Sequence, residues 1–317
     1  MPIPVGGSRD YYKALFDQIN GVIMPGGNGT LVDSMYARTA ELIIQTAEEK
    51  HAAGVHWPVW AVSLSMQKLI AYYTGNSLAW MTACDEQRFL SLPLDFPSDL
   101  DLRQVRLFKD APDSIIGFLK SRNVTANYHS VCLDVETFKK SKNLTDHFRL
   151  VSTNTYLSKE GEKREFVSTI EHRQLPIYGV QWHPEMAAFE WSTALHGFSH
   201  DEAAILVGQY FANFFVGEAR KNGQFFASVE EEQQRLMYSY AHRLFYSPHN
   251  AYQEYYEFDI WFTKNSSADS SLCSLIFTAN ILAIIMFSIC GLYLIFFMFF
   301  VVYKKFKKHT EKKALKS

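Results

Sequence analysis

Apolar residues in the first part of the chain switch between the short runs typical of buried strands and the spacing of three to four residues typical of helices. This pattern predicts a strand at 21–24, a helix at 34–53, a strand at 57–62 and a helix at 64–73. Strands and helices that alternate in this way form an open, mostly parallel sheet, because each helix returns the chain to the same end of the sheet. We therefore expect an α/β fold with helices on both faces of the sheet.

The second half of the chain predicts strands with a different connectivity. Apolar segments at 148–154 and 164–171 are close enough in sequence to form a hairpin, and a third segment at 176–182 would return to the main sheet. A long helix is predicted at 201–222 and would close the domain. Its apolar face is expected to consist of Ile205, Phe211, Ala212 and Phe215.

The last part of the chain has the composition of a membrane span. Residues 272–303 contain no charged side chain, and about 20 apolar residues are enough to cross a bilayer. Seven lysines follow between 304 and 317, and positive residues favour the cytoplasmic side. We therefore expect a globular domain at 1–259, a juxtamembrane linker at 260–271, one transmembrane helix at 272–303 and a basic cytoplasmic tail at 304–317.

Charge and short motifs agree with a globular domain on the lumenal or extracellular side of that membrane. The formal net charge of the 317-residue chain is −2, and no basic-aromatic pattern outside the tail predicts nucleic-acid binding. Acceptor motifs for N-glycosylation occur at Asn28, Asn123, Asn143 and Asn265. Asn28 would lie in the candidate site, so its match is taken as accidental, and Asn143, in a predicted polar loop, is the best candidate. The four cysteines predict no disulfide framework. The redox compartment therefore stays open, and a tail-anchored protein with a cytosolic domain is the competing topology.

The segment Tyr178–Glu185 carries the strongest chemical signal in the chain. It reads Tyr-Gly-Val-Gln-Trp-His-Pro-Glu, in which an apolar strand ends at His183 because Pro184 cannot continue it. Residues two apart in an extended segment point to the same side, so the carboxylate of Glu185 can fix the imidazole tautomer and stabilise its charged form. A base with such a partner is typical of nucleophilic catalysis, although an isolated pair of this kind is more often structural.

A nucleophile for that base is predicted at Ser63. This serine lies between the strand at 57–62 and the helix at 64–73, where a sharp turn exposes the side chain at its apex. Such an elbow needs small residues on both sides, and Ala61 and Ser65 meet that need. The alternative is that Ser63 only caps the helix, a position at which serine is favoured.

Together these segments resemble the gamma-glutamyl hydrolase family, whose members have a class I glutamine-amidotransferase-like fold and cleave folate polyglutamates. The resemblance follows the family order across about residues 1–259. The matching segments include Ile19-Asn-Gly-Val-Ile-Met-Pro-Gly-Gly, Thr125-Ala-Asn-Tyr-His, the His-Pro-Glu segment and Phe214-Phe-Val-Gly-Glu-Ala-Arg-Lys-Asn. The resemblance implies an oxyanion hole formed by the backbone N–H groups of Gly27 and Leu64, and a histidine near the site, His129. No cofactor is implied, and no cluster of histidines and cysteines has metal-ligand spacing.

Two departures from the family pattern change what the resemblance implies. The family has cysteine at the elbow, in a Gly-Thr-Cys-Leu-Gly pattern, whereas this chain has Ala-Val-Ser-Leu-Ser at 61–65. A thiolate is a strong nucleophile, but a serine hydroxyl must lose its proton during attack, so we expect hydrolysis to be weak or lost. The family also begins with a secretion signal, a further strand and a further helix. None of these is found before residue 8, and we expect a sheet that is incomplete at its N-terminal end.

Three functions are therefore left open. The first is a weak gamma-glutamyl hydrolase, in which Ser63 attacks, His183 acts as the base and Glu185 orients it. The second is an inactive, membrane-anchored pseudoenzyme that binds a γ-glutamyl small molecule or peptide. The third is a serine hydrolase of another specificity that uses the same three residues. The family is lysosomal or secreted, and a homodimer is an open alternative for the assembly.

Overall fold

A computed structural model describes residues 1–84, 88–158, 160–192, 195–247 and 250–256. The chain divides into two compact units, Met1–Phe258 and Asp259–Ser317, and all the described residues belong to the first. The predicted linker at 260–271, span at 272–303 and tail at 304–317 lie outside the described residues. Within the described ranges, no helix is both long enough and apolar enough to cross a bilayer.

Helices and strands alternate through the described part of the chain. The helices there are α1 (Arg9–Phe16), α2 (Met35–Ala52), α3 (Leu64–Tyr73), α4 (Asp113–Ser121), α5 (Val135–Lys140), α6 (Lys142–His147), α7 (Met186–Phe189), α8 (Glu202–Ala219) and α9 (Val229–Arg235). The strands are β1 (Val22–Met24), β2 (Val59–Val62), β3 (Met81–Ala83), β4 (Leu90–Leu92), β5 (Thr125–Asn127), β6 (Val131–Leu133), β7 (Phe148–Leu157), β8 (Lys163–His172), β9 (Ile177–Val180), β10 (His242–Ser247) and β11 (Asn250–Tyr256).

Side-chain caps explain where several helices begin. The side chains of Ser8, Ser34 and Asp201 each accept a hydrogen bond from the backbone N–H three residues later. Each cap satisfies one of the N–H groups that a helix start leaves without a partner. The predicted helix that begins after Ser34 is therefore confirmed, and α3 has the predicted bounds.

The central sheet is mixed, which corrects the expectation of a mostly parallel sheet. Its strand order is β1-β2-β9-β8-β7. The neighbours β1, β2 and β9 pair in parallel, whereas β8 is antiparallel to both β9 and β7. The cause is the predicted hairpin of β7 and β8, because a short turn reverses the chain direction. Separate antiparallel pairs are formed by β3 with β6, β4 with β5, and β10 with β11.

Helices cover both faces of the sheet, as predicted. Alternate side chains of β2 point to opposite faces: Ala61 packs into one hydrophobic core and Trp60 into another. The first core includes buried residues of α1, α2 and α3, and the second includes buried residues of α4 and α8. The buried strands at the centre therefore have apolar side chains on both sides, which is typical of α/β proteins.

The buried face of α8 differs from the prediction in two of its four residues. Phe211 and Phe215 are buried, but Ile205 and Ala212 are exposed. Val207 lies four residues before Phe211 and is fully buried in the same row. The helical repeat of 3.6 residues therefore places Val207, Phe211 and Phe215 on the buried face. Ile205 and Ala212 were predicted to be buried only because they are apolar.

A glycine allows α8 to approach the segment that follows β9. A Cβ atom at Gly208 would lie 2.5 Å from the backbone oxygen of Pro184. That separation is far below van der Waals contact, so a side chain at this position would displace the helix or the segment. Gly217, on the same helix, has open space where a Cβ would lie.

We predict opposite effects for alanine at these two positions. Gly208→Ala should lower the free energy of unfolding by about 1–3 kcal/mol, because it overpacks the contact with Pro184. Gly217→Ala is the matched control and should raise it by up to about 1 kcal/mol, because alanine has the higher helix propensity. Urea unfolding of both variants measures the difference. Equal effects of the two substitutions would contradict the close approach.

Candidate active site

Ser63 occupies a strained turn between β2 and α3. Its φ and ψ angles are 51° and −108°, a region that non-glycine residues rarely adopt and that costs about 1–3 kcal/mol. Its backbone N–H donates to the carbonyl oxygen of Val180 at 2.7 Å. The Ser63 side chain makes no capping hydrogen bond to α3. Ser63 therefore lies at a strained strand-turn-helix junction, and its side chain does not act as an ordinary serine cap.

The side chain of Ser63 is only 4% exposed, and a buried amide lies next to it. Nε2 of Gln181 lies 3.5 Å from Oγ of Ser63 and can donate a weak hydrogen bond to it. The amide oxygen of Gln181 lies 3.3 Å from Nε2 of Gln67 on α3. Sequence reasoning did not identify Gln181 as a site residue, although it lies in the predicted strand at 176–182, two residues before His183.

Ser65 ties the elbow to the turn that follows β1. Its hydroxyl donates to the backbone oxygen of Pro25 at 2.6 Å, and its oxygen lies 2.7 Å from the hydroxyl of Tyr36. Burial raises the pKa of Tyr36, so the phenol is protonated and donates to Ser65. Two hydrogen bonds therefore hold α3, α2 and the turn after β1 in one arrangement.

His183 and Glu185 form the predicted pair. Nδ1 of His183 lies 2.7 Å from Oε1 of Glu185, and the backbone N–H of His183 donates to the oxygen of Ala126 at 2.8 Å. A carboxylate only accepts, so Nδ1–H of His183 is the donor in this hydrogen bond and Nε2 faces away from Glu185. Nε2 is buried and has no hydrogen-bond partner among the described residues. The imidazole is thus held in the tautomer that a general base requires.

The glycine turn after β1 closes over the imidazole. A Cβ atom at Gly26 would lie 2.4 Å from Cε1 of His183, and one at Gly27 would lie 4.0 Å from Cδ2 of Leu64. Only glycine can therefore occupy position 26 with the imidazole where it is. Gly26 was not among the predicted site residues, although the Gly-Gly pair after an apolar strand was the signal for it.

The sheet register brings Ser63, His183 and the glycine turn after β1 to one edge of the sheet. Val62 and Val180 are partners in the parallel pairing of β2 with β9, so Ser63 and His183 follow the ends of neighbouring strands. The contacts of Gly26 with His183 and of Gly27 with Leu64 place the turn after β1 at the same edge. Sites in open α/β sheets form beyond the carboxyl ends of the strands, and this site follows that rule.

His129 is a buried, neutral neighbour of this site. It follows β5, and its Nε2 lies 3.2 Å from Oδ1 of Asn127. Burial, together with the positive charge that His183 can carry, lowers the pKa of His129 to about 3. The imidazole of His129 is therefore uncharged near neutral pH and does not supply a cation to the site.

A disulfide lies beside His129. Cys84 and Cys132 are joined, which corrects the expectation that no disulfide framework exists. The antiparallel pairing of β3 with β6 brings these two cysteines together across 48 residues, and spacing along the chain gave no signal for it. Structural disulfides are typical of proteins in oxidising compartments.

Asn123 and Asn143, the candidate acceptor asparagines that the structure describes, are exposed. Asn123 follows α4. Asn143 lies in the first turn of α6, and not in a loop as predicted, and its backbone oxygen lies 2.7 Å from Nδ1 of His147. Asn265 lies outside the described residues. Exposure makes Asn123 and Asn143 accessible to modification.

Known proteins similar to this chain share one enzyme name. A family model described as "Glutamine amidotransferase class-I" matches residues 8–196. The chain is 37% identical over 259 residues to the gamma-glutamyl hydrolase of Mus musculus, across 82% of this chain and 78% of that protein. It is 34% identical over 259 residues to the gamma-glutamyl hydrolase of Homo sapiens, with the same coverage. Gamma-glutamyl hydrolase B of Dictyostelium discoideum is 30% identical over 241 residues, across 76% of this chain and 67% of that protein.

The buried state of His129 predicts a pH-dependent loss of stability. Its folded-state pKa of about 3 lies below the ordinary value of 6.5. The neutral imidazole of His129 therefore makes its full contribution to the free energy of unfolding above pH 6.5. This contribution is lost as the pH falls toward 3, because the unfolded chain binds a proton at this histidine before the folded chain does. We expect this histidine to account for about 2 kcal/mol of lost stability between pH 7 and pH 5.

Urea unfolding at pH 7 and pH 5 measures this contribution. His129→Gln should lose less stability over that interval than the unaltered chain, whatever its stability at pH 7. His196→Gln, at an exposed position, is the control and should keep the original pH dependence. If His129→Gln has the same pH dependence as the unaltered chain, the assignment of a buried neutral imidazole is wrong.

Proposed function

Because this chain belongs to the gamma-glutamyl hydrolase family, we propose that its site binds γ-linked glutamyl groups, including those of folate polyglutamates, and hydrolyses them weakly or not at all. The observation that carries the proposal is that the hydrogen-bonded pair of His183 and Glu185 and the strained turn of Ser63 follow the ends of neighbouring strands. The base and the turn favour attack on a carbonyl carbon. The hydroxyl nucleophile limits the rate of that attack.

The proposed reaction follows acyl transfer through a serine ester. Nε2 of His183 takes the hydroxyl proton of Ser63 as the oxygen attacks the γ-carbonyl carbon, and Glu185 stabilises the resulting imidazolium. The backbone N–H groups of Gly27 and Leu64 are the proposed donors to the oxyanion. The imidazolium then protonates the leaving amine, and water activated by the same base hydrolyses the ester.

The hydroxyl makes the first step slow. A cysteine thiol ionises near pH 8.5, or lower beside a base, whereas a serine hydroxyl stays protonated until the transition state. The amide of Gln181 can also donate to Oγ of Ser63, which lowers the electron density available for attack. We therefore expect ligand binding to persist where turnover is nearly absent.

Ser63→Cys should increase glutamate release from a γ-linked diglutamate or a folate polyglutamate by about 100-fold or more, because it supplies a thiolate to an intact base. Release is measured by chromatography of the products. Ser63→Ala should release no more than the uncatalysed reaction. His183→Ala in the Ser63→Cys chain is the matched control and should remove the gain.

Two results would contradict the proposal or replace it. A rate of about 1 per second or more for the unaltered chain, abolished by Ser63→Ala, would show an efficient serine enzyme. Labelling of Ser63 by a fluorophosphonate probe without γ-glutamyl hydrolysis would favour a serine hydrolase of another specificity. The strained backbone of Ser63 is the observation that keeps this second candidate open, because such strain commonly persists at reactive residues.

We also propose that the domain faces a lumen or the outside and that residues 272–303 anchor it in a membrane, with the tail at 304–317 in the cytoplasm. The uncharged run and the lysines that follow it support this orientation. The disulfide between Cys84 and Cys132 supports an oxidising compartment.

Glycosylation at Asn143 tests that orientation. In eukaryotic cells the full chain should migrate faster after treatment with peptide N-glycosidase, and Asn143→Gln should migrate faster before treatment. Thr145→Ser keeps the acceptor motif and is the control. A chain that the glycosidase leaves unchanged, with its domain open to protease from the cytosolic side, would support the tail-anchored alternative instead.

A further inference from the structure

An exposed cluster of one arginine and two aromatic side chains lies beside the site and has no part in the reaction above. The guanidinium carbon of Arg88 lies 4.8 Å from the ring centre of Phe89 and 5.1 Å from that of Tyr128. The two ring centres are 5.2 Å apart. A cation within about 6 Å of an aromatic ring is attracted by the ring quadrupole. Both rings therefore stabilise this position of the guanidinium.

The backbone at Phe89 is held in a conformation that aromatic residues rarely adopt. Its φ angle is 71°, in the left-handed region, where a bulky L-residue is strained. Its N–H donates to the oxygen of Asn127 at 2.8 Å, just before β4 pairs with β5. A Cβ at Gly197 would lie 1.8 Å from the carbonyl oxygen of Phe89. The surroundings thus enforce a strained turn, and such strain is found preferentially at ligand sites.

Tyr128 connects this cluster to the imidazole. Its ring centre lies 6.4 Å from that of His183, and its ring is 37% exposed beside a buried histidine. Arg88 is exposed and takes part in none of the ion pairs formed among the described residues. The guanidinium is therefore a cation at the rim of the site that retains its capacity to bind an anion.

The chemistry of a γ-linked glutamyl group indicates which anion the guanidinium of Arg88 would bind. Such a group carries a charged α-carboxylate about 5 Å from the γ-carbonyl carbon that a nucleophile attacks. A guanidinium binds a carboxylate through its N–H edge, and stacking on aromatic rings leaves that edge available. We propose that Arg88, supported by Phe89 and Tyr128, binds the α-carboxylate of the glutamyl group whose γ-carbonyl lies at Ser63. This proposal rests on the function proposed above and adds a residue that selects γ-linked over other amides.

Two ligands separate binding of the carboxylate from binding of the rest of the molecule. The first is γ-glutamylglutamate, and the second is its analogue in which the α-carboxylate of the first residue is a carboxamide. Both are titrated calorimetrically into the full-length chain carrying Ser63→Ala, so that turnover does not consume them. The same titrations are made with Arg88→Gln and with Arg122→Gln added to that chain. Arg122 is the matched control, because it is also exposed and also lies over an aromatic ring, Phe118.

The proposal predicts that the carboxamide binds about 10-fold or more weakly than the dipeptide when Arg88 is present. In the Arg88→Gln chain the two ligands should bind with nearly equal affinity, and Arg122→Gln should keep the original difference. Equal affinities in the presence of Arg88, or a difference that survives Arg88→Gln, would overturn the proposal while leaving the proposed function intact. A chain that binds neither ligand would overturn both. Thermal unfolding of each variant, expected to be unchanged, excludes a loss of fold.

Discussion

The site depends on the parallel pairing of β2 with β9. This register places Val62 beside Val180, and the next hydrogen bond, from the N–H of Ser63 to the oxygen of Val180, holds Ser63 at the end of its strand. A serine with a positive φ angle is unfavourable by itself, so the sheet must supply the compensating interactions. On the neighbouring strand, the chain continues for three residues beyond the end of β9 to His183. One ladder of hydrogen bonds therefore fixes the backbone of both groups.

Close contacts between other elements and the segment after β9 restrict the His183 ring, which the hydrogen bonds of the sheet do not hold. The imidazole of His183 is confined by the turn at Gly26. The backbone N–H of His183 is held by its hydrogen bond to Ala126, and α8 reaches Pro184 across Gly208. Each contact comes from a different element, so the ring has little freedom to follow a nucleophile of another size. This rigidity is why we expect the identity of the atom at position 63 to decide the rate.

The sequence predicted the parts of the fold that depend on local pattern. The bounds of α3 and the pairing of His183 with Glu185 follow from spacing of a few residues, and the structure has both. The buried row of α8 was only half predicted, because Ile205 is as apolar as its buried neighbours and only tertiary packing separates them. The disulfide and the cluster around Arg88 depend on strand pairings across tens of residues. Such long-range pairings leave no periodic signal in a single sequence.

The hydroxyl of Ser65 bears on how this site can change by descent. The resemblance places a glycine at position 65, yet here the side chain joins the oxygen of Pro25 to the phenol of Tyr36. Losing that hydroxyl would remove a hydrogen-bond partner from the carbonyl of Pro25 and from the partly buried phenol of Tyr36. A thiol introduced at position 63 would keep these two hydrogen bonds, whereas glycine at position 65 would remove both. Matching the family pattern at one of these positions therefore has a structural cost that matching it at the other does not.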